Sequence, residues 1–250
     1  SLGTGEDGSS PVRWTNRPEE IAAMNARVWN NRVAALLQEA GYHFTMFESG
    51  YEVTEVHTAD TFLRPARTLR EFDSIMMSQT VLLPVTRWFG GGQGQIAGYE
   101  TRTRVRFTLD TVKAIPDRGK PNFVFAHVPT PHRPFVFRAD GSARMAETEA
   151  EAPRIFNEAY IEQLKYINTL VLDTVRAVRD RAPDAIIVLQ GDHGPRHPNS
   201  MSFEFRAHAL DFVGALNTVC FPDGDYSGIP ETFTHVNTFR VIFSKYFGTD

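Results

Sequence analysis

Two apolar runs with a long helical pattern between them constrain this chain more than any other feature of it. Asn122-Phe123-Val124-Phe125-Ala126-His127-Val128 reads as a buried strand and stops at Pro129. Over residues 157–181, Ile161, Leu164, Ile167, Leu170, Val171, Val175 and Val178 keep a helical spacing for several turns. Pro183 and Asp184 end that helix. The second apolar run, residues 185–189, follows at once and breaks into Gly191-Asp192-His193-Gly194-Pro195. Strand, helix and strand in this succession predict an α/β fold.

The remainder agrees with one such unit. Residues 1–15 are rich in Gly, Ser and acids and predict a flexible segment, with a single domain over 16–250. A helix is expected from Pro18 to Ala40, capped by Thr15 or Asn16 and stopped by Gly41. A short strand over 43–47 should follow. A helix is expected over 69–77, a loop over 90–98 where five glycines fall, and helix again over 107–114. Near the end, the pattern predicts a strand over 216–221 and a helix over 236–246. With 42% hydrophobic residues, 250 residues can bury a sizeable core. The single cysteine, Cys220, excludes a disulfide framework and a cysteine-rich zinc module. A net charge of −4 argues against a nucleic-acid binder that relies on bulk positive charge. No apolar run is long enough to span a membrane.

Chemistry concentrates where the two apolar strands end, the edge at which open α/β sheets bind ligands. Asp192 beside His193 offers a hard oxygen and an imidazole nitrogen, a pair suited to zinc, manganese or a related divalent ion. Neighbouring side chains on a regular strand point to opposite faces, so both reach one ion only if the backbone turns sharply; Gly194 and Pro195 permit that. The plainer alternative is a turn-capping Asp192 beside a surface His193. The second cluster, residues 127–135, sets His127, His132 and Arg133 among three prolines. Such a loop can hold an oxyanion or pass protons, and is expected on the same sheet edge as Asp192 and His193. Arg196 extends the Asp-His loop, either toward a negatively charged substrate or into solvent. Glu48-Ser49-Gly50 after the first strand is a nonspecific candidate for that edge. His57 and Asp60 read as a satisfied polar pair, and Arg102 to Arg106 as an exposed strand face. The glycines from Gly90 lack the Gly-Lys-Ser/Thr ending of a phosphate loop, and Cys220 reads as a core residue.

Taken in order, Pro131-His132-Arg133-Pro134-Phe135, the long helix through Tyr160 and Gln190-Gly191-Asp192-His193-Gly194 resemble the sulfatase-like branch of the alkaline phosphatase superfamily. The step Leu37-Gln38-Glu39-Ala40-Gly41-Tyr42 is similar as well. Val236-Asn237-Thr238-Phe239-Arg240 and Tyr246-Phe247-Gly248 resemble membrane-anchored bacterial members, relatives of lipoteichoic acid synthases. The likeness runs over most of the chain from about residue 30. It implies an alkaline phosphatase-like fold, a mixed, mostly parallel sheet flanked by helices. It also implies a metal-dependent hydrolase or transferase of sulfate or phosphate esters, using one or more divalent ions (Mn, Zn, Mg or Ca).

On this resemblance Asp192 and His193 are metal ligands and His132 is the catalytic imidazole near the substrate; from the loops themselves, His127, Arg133 and Arg196 are the expected substrate contacts. The implied partner is an anionic ester, not nucleic acid. The implied setting is an extracytoplasmic domain of a membrane-anchored protein, associated with the membrane only through segments outside this chain. In the family, a first metal-binding acid and a Ser, Thr or modified-Cys nucleophile precede the Gly-Tyr step. Neither is matched here, and Cys220 lacks the Cys-x-Pro-Ser-Arg setting. The expectation is therefore a domain incomplete at its N-terminus, carrying the metal-binding back portion of the site. The competing expectation is a non-catalytic sulfatase-like domain that binds an anionic ligand or a protein partner.

Overall fold

The computed structural model describes residues 18–66, 93–145, 152–195, 213–230 and 233–248. The first expected helix is two, α1 (Pro18–Trp29) and α2 (Arg32–Glu39). Asn31 breaks it: its backbone is extended, and its Oδ1 accepts from the amides of Val33 at 2.9 Å and Ala34 at 3.2 Å. A short amide side chain competes for backbone donors, so it starts a helix better than it continues one. The cap expected at Thr15 or Asn16 lies outside the described residues.

Strand β1 (His43–Phe47) is the centre of a three-stranded parallel sheet, flanked by β2 (Thr61–Leu63) and β3 (Asn122–Phe125). Thr45 pairs with Thr61, and Met46 pairs with Phe125. β1 is buried from Phe44 onward, as a central parallel strand must be. Ala34 of α2 packs with Phe44, Met46 and Val56, and the Phe44 and Phe123 rings stack at 5.1 Å.

Helix α3 (Gln93–Val112) corrects two expectations. It begins inside the predicted glycine loop, and Arg102 to Arg106 ride on it rather than on a strand. Alternation of Arg with Thr and Val imitates a strand. The residues that reach the core are instead Val105 and Leu109, one turn apart. Gly98 is buried within this helix, where a Cβ would stand 3.2 Å from the Arg102 guanidinium and 3.5 Å from Val136.

Helix α4 (Ala152–Arg181) buries a stripe of Phe156, Ala159, Gln163, Ile167 and Thr174. Ile161, counted on the apolar face from sequence, is 48% exposed. At its far end Arg181 donates to the carbonyls of Lys113 and Ile115, just past α3. Strand β4 (Ile187–Gln190) pairs antiparallel with β5 (Asn217–Cys220), Gln190 opposite Asn217. Helix α5 (Thr238–Phe247) follows a short 3-10 turn, His235–Asn237. It joins the two sheets, since Phe239 meets Phe123 edge-on at 6.3 Å and Thr238 Oγ1 accepts from Gln190 Nε2 at 2.6 Å.

The result is the expected mixed α/β arrangement, a parallel sheet and an antiparallel pair with helices against them. The helix expected over 69–77 lies outside the described residues. No helix among them is long and apolar enough to cross a membrane.

Candidate active site

Three chain segments leave the carboxyl ends of β1, β3 and β4, and each carries polar chemistry. After β1, Glu55 Oε1 accepts from the amides of Ser49 at 3.0 Å and Gly50 at 3.1 Å, and from Ser49 Oγ at 3.3 Å. Gly50 has φ +84°, and an added Cβ would stand 3.1 Å from the Arg104 guanidinium. Both the left-handed backbone and the close approach call for glycine. Arg104 lies between two buried carboxylates, Glu48 at 3.4 Å and Glu100 at 3.0 Å, and anchors the start of this loop. A 3-10 turn, Glu52–Thr54, then brings the Thr54 hydroxyl back toward Ser49, oxygen to oxygen 3.1 Å.

β3 runs parallel to β1, so His127, two residues past its end, comes level with that loop. Its Nδ1 lies 2.9 Å from Thr54 Oγ1, and its ring centroid is 5.9 Å from that of Tyr51. Burial holds the imidazole's pKa below its ordinary 6.5, while the Asp192 and Glu55 carboxylates pull it upward. The Asp192 charge is thus felt at His127.

Beyond β4 the backbone bends, as the paired reading of Asp192 and His193 requires. The His193 amide donates to Asp192 Oδ1 at 3.1 Å, and His193 Nε2 lies 3.7 Å from Asp192 Oδ2. Nδ1 of His193 is 2.6 Å from the Gly194 carbonyl. A carbonyl only accepts, so in the neutral ring the proton sits on Nδ1 and Nε2 is the acceptor nitrogen. This is the tautomer and the donor pair that a divalent cation uses. The residues therefore fit two positions of a metal site. Among the described residues, no group of three or more His, Cys, Asp or Glu converges to complete one.

His132 is exposed, and its Nδ1 lies 2.6 Å from the Arg133 carbonyl. Its own carbonyl accepts from Gln163 Nε2 at 3.2 Å. Gln163, fully buried on α4, also accepts from Val136 N at 2.7 Å and Phe137 N at 3.2 Å, pinning this loop from below. Arg133 is half-buried in the same loop, and Arg196 lies outside the described residues. The two loops do not share one sheet edge as expected, because β4 pairs with β5 and not with β3. Of the second cluster, His127 is the residue that feels Asp192, whereas the His132 ring is engaged with its neighbouring carbonyl. Asp60 is satisfied through Phe44 N and Gln38, not through His57.

Sequence reasoning missed Thr54 and Glu55 and gave Ser49 little weight. The available signal was a run of hydroxyl and acidic residues, Ser49 to Glu55, directly after a buried strand. A family model described as Sulfatase matches residues 15–238. Comparison with curated proteins and with solved structures gives no match.

Proposed function

The chain belongs to the sulfatase family, and from that membership we propose that it is a metal-dependent hydrolase or transferase of sulfate or phosphate monoesters. The observation that carries the reading is the turn after β4. There Asp192 and His193 bring a carboxylate oxygen and an imidazole nitrogen within 3.7 Å of each other, in a chain that matches the family over nearly its whole length.

In this reading Asp192 and His193 hold a divalent cation. When bound, such an ion supplies charge neutralisation at ester oxygens and lowers the pKa of an oxygen nucleophile. The remaining work falls to the chain's own groups. His132, as the imidazolium, keeps its Nδ1 proton on the Arg133 carbonyl and presents Nε2–H to the leaving oxygen of the ester. Arg133, and Arg196 beyond the described residues, supply positive charge for an anionic substrate. Gln163 keeps the His132 loop fixed, so this imidazole does not have to be ordered when substrate arrives. The same relationship supports an extracytoplasmic setting, with membrane attachment supplied by other segments.

Calorimetric titration with Zn²⁺ and Mn²⁺, alongside turnover of aryl sulfates and aryl phosphates, tests the proposal. Wild type is expected to bind metal and release the phenol, and Asp192→Ala and His193→Ala to lose metal binding by 10-fold or more, in the range of about 10–100-fold. A protein that binds anionic esters without metal or turnover would overturn it in favour of a non-catalytic binding domain.

A further inference from the structure

Resting on the ester-hydrolysis reading, we propose that Thr54 and Ser49 are positioning residues that hold His127 with its proton on Nδ1, leaving Nε2 to accept the proton of the attacking hydroxyl or water. The contacts fix the order of the chain. Thr54 Oγ1 stands 2.9 Å from the Tyr51 carbonyl, which only accepts, so the hydroxyl proton of Thr54 goes there. The Thr54 oxygen is then the acceptor facing His127 at 2.9 Å, and Nδ1 supplies the proton.

Ser49 fixes the turn that carries this carbonyl. Its Oγ accepts from the Tyr51 amide at 2.9 Å and donates to Glu55 Oε1 at 3.3 Å, and its own amide is held by the same carboxylate. The turn that receives the Thr54 proton is therefore held through both backbone and side chain. His127 Nε2 has no hydrogen-bond partner among the described residues, and the ring is half-buried. A half-buried imidazole with one nitrogen anchored and the other open is prepared for a reacting group.

The environment favours a neutral ring that accepts. Burial disfavours the imidazolium, outweighing the opposite pull of the Asp192 and Glu55 carboxylates. When Asp192 holds the cation, Glu55 is the carboxylate that stabilises the imidazolium once a proton has moved. In the step, the attacking oxygen bonds to sulfur or phosphorus and its proton passes to Nε2. The ester S–O or P–O bond breaks with its electrons on the leaving oxygen, which takes Nε2–H from the His132 imidazolium. The His127 imidazolium then releases its proton to bulk solvent, and His132 regains one from it. His127 and His132 thereby serve opposite sides of the ester.

Side-chain ¹⁵N NMR of the whole protein reads the tautomer directly, with His127→Gln identifying the signals. Wild type and Thr54→Ser are expected to show Nδ1 protonated, and Thr54→Val to lose that preference. On an aryl sulfate or phosphate, kcat should fall about 10–100-fold in Thr54→Val, with KM within about twofold, and recover in Thr54→Ser. An Nε2-protonated His127 in wild type overturns the proposal, as does a Thr54→Val protein with unchanged tautomer and kcat. If wild type turns over no ester, the reading of the reaction fails by itself, and the NMR arm still decides whether Thr54 sets the ring.

Discussion

At the scale of single residues, hydrogen bonds decide what each titratable group can do. His132 and His193 each face the carbonyl of the next residue through Nδ1, and His127 faces a threonine hydroxyl instead. Asp60 shows the same logic away from the site. Its Oδ2 accepts from Phe44 N at 2.8 Å and from Gln38 Nε2 at 3.2 Å, tying α2 and β1 to the approach to β2. The Phe44 amide, above all, holds this carboxyl below its ordinary 3.8. A pKa depressed on folding gives stability that is complete above the unfolded value, about 3.9, and is lost as pH falls through the folded one. Asp60→Asn should therefore unfold more easily at pH 7, by about 0.5–1 kcal/mol because the side chain is 42% exposed and screened. Urea titrations at pH 7 and pH 3 check this: the gap between variant and wild type should narrow at pH 3. A gap that persists undiminished there would trace the effect to amide geometry, not charge. The turn that brings Asp192 and His193 together was legible in sequence, because an apolar run stops there at a glycine. Thr54 was not, since its contact with His127 closes 73 residues away and leaves no local pattern.

At the scale of elements, β1, β3, β4 and β5 were legible to within a few residues, because runs of apolar residues mark them whatever lies around them, whereas the three-residue β2 has no such run and was missed. The helices were less so. Asn30-Asn31 hid a break, and the glycines before Arg102 hid a start. The face of α4 was misjudged because two of its buried positions are polar, Gln163 and Thr174. Thr174 Oγ1 donates within its own helix, to the Leu170 carbonyl at 2.8 Å, and lies 3.2 Å from the Leu109 carbonyl of α3. Gln163 is committed to the loop that bears His132. Their burial follows from partners distant in sequence, which hydropathy does not record. Gln163→Leu keeps the volume but orphans the Val136 and Phe137 amides and the His132 carbonyl. The variant should lose about 3 kcal/mol of stability, measured by chemical denaturation, because unmade buried hydrogen bonds cost more than made ones return. A loss below about 1 kcal/mol would mean that water replaces the side chain and that the loop is not pinned from α4.

At the scale of the whole molecule, the residues assigned to chemistry come from two sheets that share no strand. His127 follows the parallel sheet, and Asp192 and His193 follow the antiparallel pair. Helix α5 spans both: Phe239 packs on Phe123, Phe247 meets Tyr42 at 6.0 Å, and Thr238 holds Gln190, two residues before Asp192. An ion bound at the Asp192–His193 turn is therefore coupled through α5 to the folding of the parallel sheet. A ligand that binds the native state alone stabilises it by about 2.7 kcal/mol at a free concentration of 100 times Kd. For a chain of this size each kcal/mol is worth about 2–4 °C, so saturating Zn²⁺ or Mn²⁺ should raise Tm by about 5–10 °C. Asp192 supplies a clean control. Its side chain is 92% exposed, so Asp192→Ala should leave the metal-free stability within about 0.5 kcal/mol of wild type. The increment on adding metal should then vanish in the variant while the starting Tm stays in place. Calorimetry on both proteins, with and without a chelator, separates the terms. A shift that survives in Asp192→Ala would locate the ion elsewhere, and a single transition in wild type would confirm that the two sheets melt as one unit.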